Sequence, residues 1–314
     1  MKMAQLSVFA ATISLSSMTA CHGGNIEVGE VDWGRDLDAA YTASETSGKP
    51  VLVLFQEVPG CAGCQQFGRE VLSHPQIVEA IETEFEPVLV YNNRKGEDAG
   101  ILKSFSEPAW NYQVVRFLNA EGKDIIPRRD KIWTTEALAA RMAEALELRG
   151  RPVPGYLEAL AAMSLGGDID TAAFAMRCFW TGEMRLGGIE GVLTTEAGFL
   201  DGREVTKVVF DRDRISFSDL VAHAASCDCA NKVYTTSSGD SAIAAKGRLA
   251  VGSLTNDYRA AGKSDQKRQL GGTPFEKLDL SPVQATKINA HARSEPRNAL
   301  QWLSPRQIAA LQDS

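Results

Sequence analysis

The stretch Val51-Leu52-Val53-Leu54-Phe55-Gln56-Glu57-Val58-Pro59-Gly60-Cys61-Ala62-Gly63-Cys64 runs from an unbroken apolar segment through a Pro-Gly turn to two cysteines three positions apart. An apolar run of that length without alternation suits a strand covered on both faces. After Cys64 the pattern turns helical, with Phe67, Val71 and Leu72 sharing a side. A strand that delivers Cys61 to a helix start sets its sulfur beside unpaired backbone N–H groups and the positive end of the helix dipole. Thiolate is favoured there: a fall in pKa from about 8.5 to about 6.5 raises the thiolate fraction at pH 7 from about 3% to about 75%. Cys64, one helical turn later, is placed to resolve a mixed disulfide formed at Cys61.

Working outward, a helical stretch over Asp36–Glu45 precedes the strand, and a second over Ile77–Phe85 follows the cysteines. Strand candidates come at Val88–Tyr91 and Val114–Leu118, the latter closed by the turn Asn119-Ala120-Glu121-Gly122. Thr135 is the expected cap of a helix whose Leu138, Met142 and Leu146 share one face, ended by Gly150 and Pro152. The order β-α-β-β-α after an initial helix is that of a thioredoxin-like fold, assigned to residues 25–150. Val58-Pro59-Gly60-Cys61 also resembles a family of thioredoxin-like proteins, some of them selenoproteins, named for the motif Val-Pro-Gly-selenocysteine-x-x-Thr. Here Cys61 takes the selenocysteine place and Cys64 the threonine place. Thioredoxins carry a cis-proline just before the strand facing the active site. Counting back from Gly122 puts Gln113 near that position, and Pro108 lies too early.

Residues 151–165 read as a linker that opens with Arg151-Pro152-Val153-Pro154-Gly155 and runs into a short helix, and residues 166–250 as a second unit. In it Thr171–Arg177, Val192–Phe199 and Glu204–Phe210 are expected strands, and Thr181–Leu186 and Phe217–Ala225 expected helices. The run Arg177-Cys178-Phe179-Trp180-Thr181-Gly182-Glu183 resembles the signature of peptide methionine sulfoxide reductase A, Gly-Cys-Phe-Trp followed after two positions by Glu. The likeness continues through Ile189–Val192, Thr194-Thr195, Gly198-Phe199, Glu204-Val205, Val208–Asp211 and Ile215–Phe217. This resemblance implies a ferredoxin-like α+β domain in which Cys178 attacks a sulfoxide sulfur, Glu183 supplies the proton the departing oxygen needs, and Phe179 and Trp180 wall an apolar substrate pocket. Ordinary core packing is the other reading of that aromatic pair. The sequence departs from the family at Arg177 in place of glycine, at Phe199 in place of a tyrosine, and at Gly202-Arg203-Glu204 in place of His-Ala-Glu, with the loop before it missing.

Cys227-Asp228-Cys229 follows the last of these helices. Reductases of this family often keep resolving cysteines beyond the catalytic core, so Cys227 and Cys229 are the resolving candidates, re-reduced in turn by Cys61. The rival reading is a metal-binding module, because His223-x-x-x-Cys227-x-Cys229 offers three borderline-to-soft ligands. A non-catalytic interaction protein on an inherited reductase fold is the third. Residues 251–314 form an extension with helical pieces at Pro282–Ala292 and Pro305–Leu311, opened by Ser281 and Ser304, and offer no recognisable catalytic group.

Composition bounds what remains. Thirty-three basic against 40 acidic residues give a net charge of −7, which argues against a nucleic-acid partner. Six cysteines in 314 residues are too few for a disulfide scaffold, and their clustering favours chemistry. The first twenty residues, MKMAQLSVFAATISLSSMTA, read as a secretory leader too short to span a bilayer. Met18-Thr19-Ala20-Cys21 resembles a lipobox, which makes Cys21 a lipidation candidate and the lipid the membrane attachment. The expectation is therefore a periplasmic or envelope oxidoreductase acting on protein thiols, disulfides or methionine sulfoxide, with no cofactor and no metal.

Overall fold

The computed structural model describes residues 25–109, 113–164, 167–226 and 230–312. Cys21, Cys227 and Cys229, and with them the leader, the lipobox and the Cys-x-Cys, lie outside the described residues.

The first domain is built on strand β1 (Val51–Gln56), preceded by helix α1 (Leu37–Ser47). Asp36 caps α1 by accepting from Ala39 N at 2.9 Å. Helix α2 (Ala62–Phe67) runs into a π-helical turn at Gly68–Leu72, followed by α3 (Pro75–Glu84), β2 (Glu86–Tyr91), α4 (Glu97–Ser104) and β3 (Val114–Leu118). Helix α5 (Thr135–Leu148) starts where expected, but its cap is Thr134, whose hydroxyl accepts from Ala137 N at 3.2 Å. The sheet order is β2-β1-β3, with β1 parallel to β2 and antiparallel to β3. Every residue of β1 is buried because each face has its own core. Leu52 and Leu54 pack with Phe67, Leu72, Ile77 and Leu138, while Val51, Val53 and Phe55 pack with Leu37, Leu102 and Val114. Truncating one of these side chains to alanine removes about 2–5 kcal/mol.

After α6 (Gly155–Ala161) the second domain runs β4 (Ile169–Met176), α7 (Phe179–Gly187), β5 (Val192–Leu200), β6 (Arg203–Asp211), α8 (Phe217–Ser226) and β7 (Ala230–Thr235). These four strands lie in the order β7-β4-β6-β5 with antiparallel pairing throughout, which is the ferredoxin-like βαββαβ arrangement. Alternation along β4 sends Phe174 and Met176 to the side of Leu186, Phe217 and Leu220, and Ala173 and Ala175 to the other side with Val205 and Tyr234.

The chain then continues through α9 (Ser238–Lys246), β8 (Ala250–Ser253) and β9 (Arg259–Ala260). β8 adds parallel to β7 and β9 adds antiparallel to β5, so both edges of the second sheet are extended by residues at and beyond the expected boundary at 250. Ser281 forms a capping box with Gln284 at the start of α10 (Pro282–His291), followed by α11 (Pro296–Leu300) and α12 (Pro305–Gln312), opened by Ser304. This segment bridges the two domains: Gln76 Nε2 donates to Gln284 Oε1 at 3.0 Å, Arg306 N donates to Glu79 Oε1 at 2.6 Å, and Lys287 Nζ donates to Ile189 O at 2.7 Å. Among the described residues no helix is long and apolar enough to cross a membrane.

Candidate active sites

At the end of β1, buried Gln56 donates to Glu27 O at 2.7 Å, and Glu27 Oε1 accepts from Gly60 N at 2.9 Å. The segment ahead of α1 thus holds the turn that carries the cysteines. A side chain at Gly60 has no room, since a Cβ there would lie 2.6 Å from Cys64 Cβ and 2.4 Å from Glu57 O. Cys61 is the N-cap of α2, with extended backbone, and its carbonyl accepts from Gln65 N at 3.0 Å.

Cys61 is exposed and Cys64 fully buried, and both are free thiols with their sulfurs 3.4 Å apart. The Cys64 backbone N–H holds the Cys61 thiol below its ordinary pKa, against the opposing effect of desolvation, and the Cys64 side chain and Gly63 N–H add to the lowering. Burial pushes the Cys64 thiol up to about 12, helped by its hydrogen bond to Cys61. One sulfur is thus reachable and inclined to ionise, and the other is shielded and protonated. Glu57 brings a carboxylate oxygen to within 4.8 Å of both sulfurs. A structural zinc site uses four ligands, so these three fall one short of closure. Gln113 stands immediately before β3, as the count from Gly122 predicts, with φ of +51° and its side chain buried.

In the second domain Cys178 is the N-cap of α7, partly exposed, and its carbonyl accepts from Gly182 N at 3.2 Å. Gly182 allows α7 to lie against β6, since a Cβ there would come 2.1 Å from Thr206 Oγ1. Phe179 is buried and meets Trp180 and Phe199 edge to face, at 6.0 and 5.5 Å between ring centroids. Ala197 and Ala261 complete this cluster, and the Arg268 guanidinium lies 5.3 Å from the Trp180 ring centroid.

Glu183, the acid that the resemblance implies, lies inside the second domain. Its side chain is wholly buried, and both carboxylate oxygens are engaged as acceptors. Oε2 accepts from Lys267 N at 2.8 Å, and Oε1 accepts from Lys267 Nζ at 2.6 Å and from Thr195 Oγ1 at 3.5 Å. The ammonium also donates to Thr195 O. An acid that must present a proton to a substrate oxygen is poorly served by a carboxylate clamped in this way. The carboxylate at the start of α7 is instead that of Glu204, whose Oε2 accepts from Phe179 N at 3.0 Å, one residue from Cys178. Its register within Gly202-Arg203-Glu204 was the available sequence signal. Lys267 had none, being one of three cations, with Lys263 and Arg268, in a turn-rich segment, and it pairs with a residue 84 positions earlier.

The fold and the dithiol at the start of α2 define a thioredoxin-like domain, and residues 32–118 match the family model described as thioredoxin-like. The chain is also 38% identical over 72 residues to the peptide methionine sulfoxide reductase MsrA of Pseudomonas entomophila (strain L48), covering 18% of this chain and 32% of that protein. It is 36% identical over 73 residues to the enzyme of the same name from Pseudomonas putida (strain W619), covering 18% and 33%. To that from Methanococcus maripaludis (strain C7 / ATCC BAA-1331) it is 32% identical over 71 residues, covering 17% and 45%. The chain thus spans about a third of the length of the first two of these relatives. A solved structure titled DsbH Oxidoreductase aligns over 44% of this chain and 96% of its own, with 17% identity and a TM-score of 0.33.

Proposed function

We propose that the chain is a thiol-disulfide oxidoreductase in which Cys61 is the nucleophile and Cys64 the resolving thiol. The observation that carries this reading is the unequal pair itself, one exposed sulfur with a lowered pKa 3.4 Å from a buried sulfur with a raised one. In the reducing direction the Cys61 thiolate attacks one sulfur of a substrate disulfide, and the other sulfur leaves as a thiolate that takes up a proton. Cys64 then loses its proton and attacks Cys61, releasing the second substrate thiol and leaving a Cys61–Cys64 disulfide. Two electrons have passed from the protein to the substrate. Turnover of a peptide disulfide by wild type, abolished in Cys61→Ser and halted at a trapped mixed disulfide in Cys64→Ser, tests it.

A second reaction is favoured by the Glu204 carboxylate, held at the start of α7 on the backbone N–H of Phe179, the residue after Cys178. In this reading the Cys178 thiolate attacks the sulfur of methionine sulfoxide, Glu204 protonates the oxygen as its S–O bond breaks and it leaves as water, and a water then attacks Cys178 Sγ, breaking the new S–S bond so that methionine departs and Cys178 is left as a sulfenic acid. A second thiol, Cys227 or Cys229, displaces water to form a disulfide, which Cys61 and Cys64 then reduce. Peptide mapping of Cys61→Ser protein after treatment with a methionine sulfoxide peptide tests this relay. A Cys178 still present as free thiol defeats it. The apolar leader and the likeness of Met18–Cys21 to a lipobox support a location in the cell envelope with Cys21 as the anchor, and Cys21→Ser protein should then leave the membrane fraction.

A further inference from the structure

The Gln113 carboxamide is buried to 1% exposure, yet neither its Oε1 nor its Nε2 has a hydrogen-bond partner among the described residues. A primary amide offers two donors and an acceptor, and leaving all of them buried and unpaired is costly unless something else pairs with them. Its surroundings are those of the dithiol. Gln113 Nε2, Trp133 Cζ3 and Cys61 Sγ lie 3.5, 3.5 and 3.7 Å from the point where Gly63 would carry a Cβ, so three dissimilar groups converge on the bare backbone of one glycine. Trp133 is 50% exposed, belongs to no helix or strand, and stands ahead of α5.

The same molecule shows what such an amide does when it meets a strand. Gln266 Oε1 accepts from Ala197 N at 2.9 Å while its Nε2 donates to Ala197 O at 2.8 Å, so one carboxamide clasps both backbone groups of one residue. We propose that Gln113 makes the same clasp on a substrate: its Oε1 accepts a backbone N–H, and its Nε2 donates to the C=O of the same residue, in an extended polypeptide segment beside the cysteine that Cys61 attacks. The ligand is main chain, so the site takes extended disulfide-bearing polypeptide of many sequences. Trp133 moves aside to admit the segment and then packs on it. This inference rests on the dithiol reading above for its chemistry, but the clasp is a binding site that can be measured without turnover.

Two measurements test it in the full chain. The first compares kcat/KM for a short unstructured peptide with one central cysteine, oxidised to its disulfide-linked dimer, with kcat/KM for bis(carboxynitrophenyl) disulfide, which has no peptide groups. Gln113→Leu should lower the peptide-to-aromatic ratio about tenfold, the loss of two neutral hydrogen bonds, and Gln113→Glu, which keeps an acceptor and loses the donors, should fall between. At the same time Gln113→Leu should raise Tm, because it removes a buried unpaired amide. A purely structural glutamine would lower Tm and slow both substrates in parallel, and that result overturns the proposal. The second titrates the same peptide dimer into Cys61→Ser/Cys64→Ser protein by calorimetry, with and without Gln113→Leu. About tenfold weaker binding with Gln113→Leu supports the clasp even if wild type reduces neither disulfide, in which case the dithiol reading falls alone. Equal affinity overturns the clasp whatever the turnover.

Discussion

Lys267 closes on the buried carboxylate of Glu183 with two groups at once, its backbone N–H at 2.8 Å and its ammonium at 2.6 Å. A residue of the C-terminal segment thereby neutralises a charge inside the second domain. The strap that carries it is held by Gln266 on Ala197 and by the pairing of β9 with β5, next to the Phe179 cluster. Lys267→Met leaves Glu183 buried without its counter-charge and should destabilise the protein by about 3–5 kcal/mol in denaturant unfolding. Combining it with Glu183→Leu should recover most of that loss, since the double variant removes both charges. Additive losses would mean that the two residues act separately.

The thiols should separate by pH. Thiolate is the reactive form and is populated above the pKa, so Cys61 should alkylate with a midpoint below that of an ordinary cysteine. Cys64, pushed up to about 12, should stay unmodified in the native protein through neutral pH. Mass mapping after a brief iodoacetamide pulse at several pH values reads both, and preferential labelling of Cys64 would reverse the assigned roles.

If the second domain reduces methionine sulfoxide, the proton comes from the carboxylate at the start of α7. Glu204→Gln should slow sulfoxide reduction by about 10²–10⁴-fold, the usual yield of a positioned acid. Glu183→Gln should act chiefly on stability. A larger rate loss in Glu183→Gln, with the protein still folded, would restore the acid role to Glu183.

Lys287 lies within the contact between the C-terminal segment and the second domain, and burial holds its pKa down to about 8; Glu158 and Glu190 oppose this and Arg214 adds to it. Between about pH 8 and the ordinary lysine value of 10.5, the unfolded chain carries a proton that the folded chain has released. Stability relative to Lys287→Met should therefore rise with pH across that window, by on the order of 3 kcal/mol, and stay level below it. Denaturant unfolding of both proteins at matched pH values measures the difference. A flat profile would show that Lys287 titrates alike in both states.

Local patterns were legible from the residues. The apolar run of β1, the caps at Ser281 and Ser304, and the cysteine at each helix start follow from periodicity and from side chains that bond their own backbone neighbours, whereas the cap of α5 fell one residue before the expected Thr135. Most elements of both domains announce themselves in the same way, but α4 and β7 were not among those expected. The expected strand at Glu204–Phe210 and the observed β6 differ only at their ends.

The pairing of Glu183 with Lys267, the extension of the second sheet by β8 and β9, and the bridging of the domains by Gln284 and Arg306 left no such trace. The amino-acid sequence by itself determined two α/β units with a cysteine at the start of a helix in each. Tertiary structure alone decided what neutralises Glu183 and what the C-terminal residues cover. The physical reason is range. Helix and strand patterns arise from neighbours within a turn or two, whereas an ion pair between distant positions depends on how the intervening chain packs, and nothing in the polar stretch of Lys263, Lys267 and Arg268 singles out which cation reaches a partner.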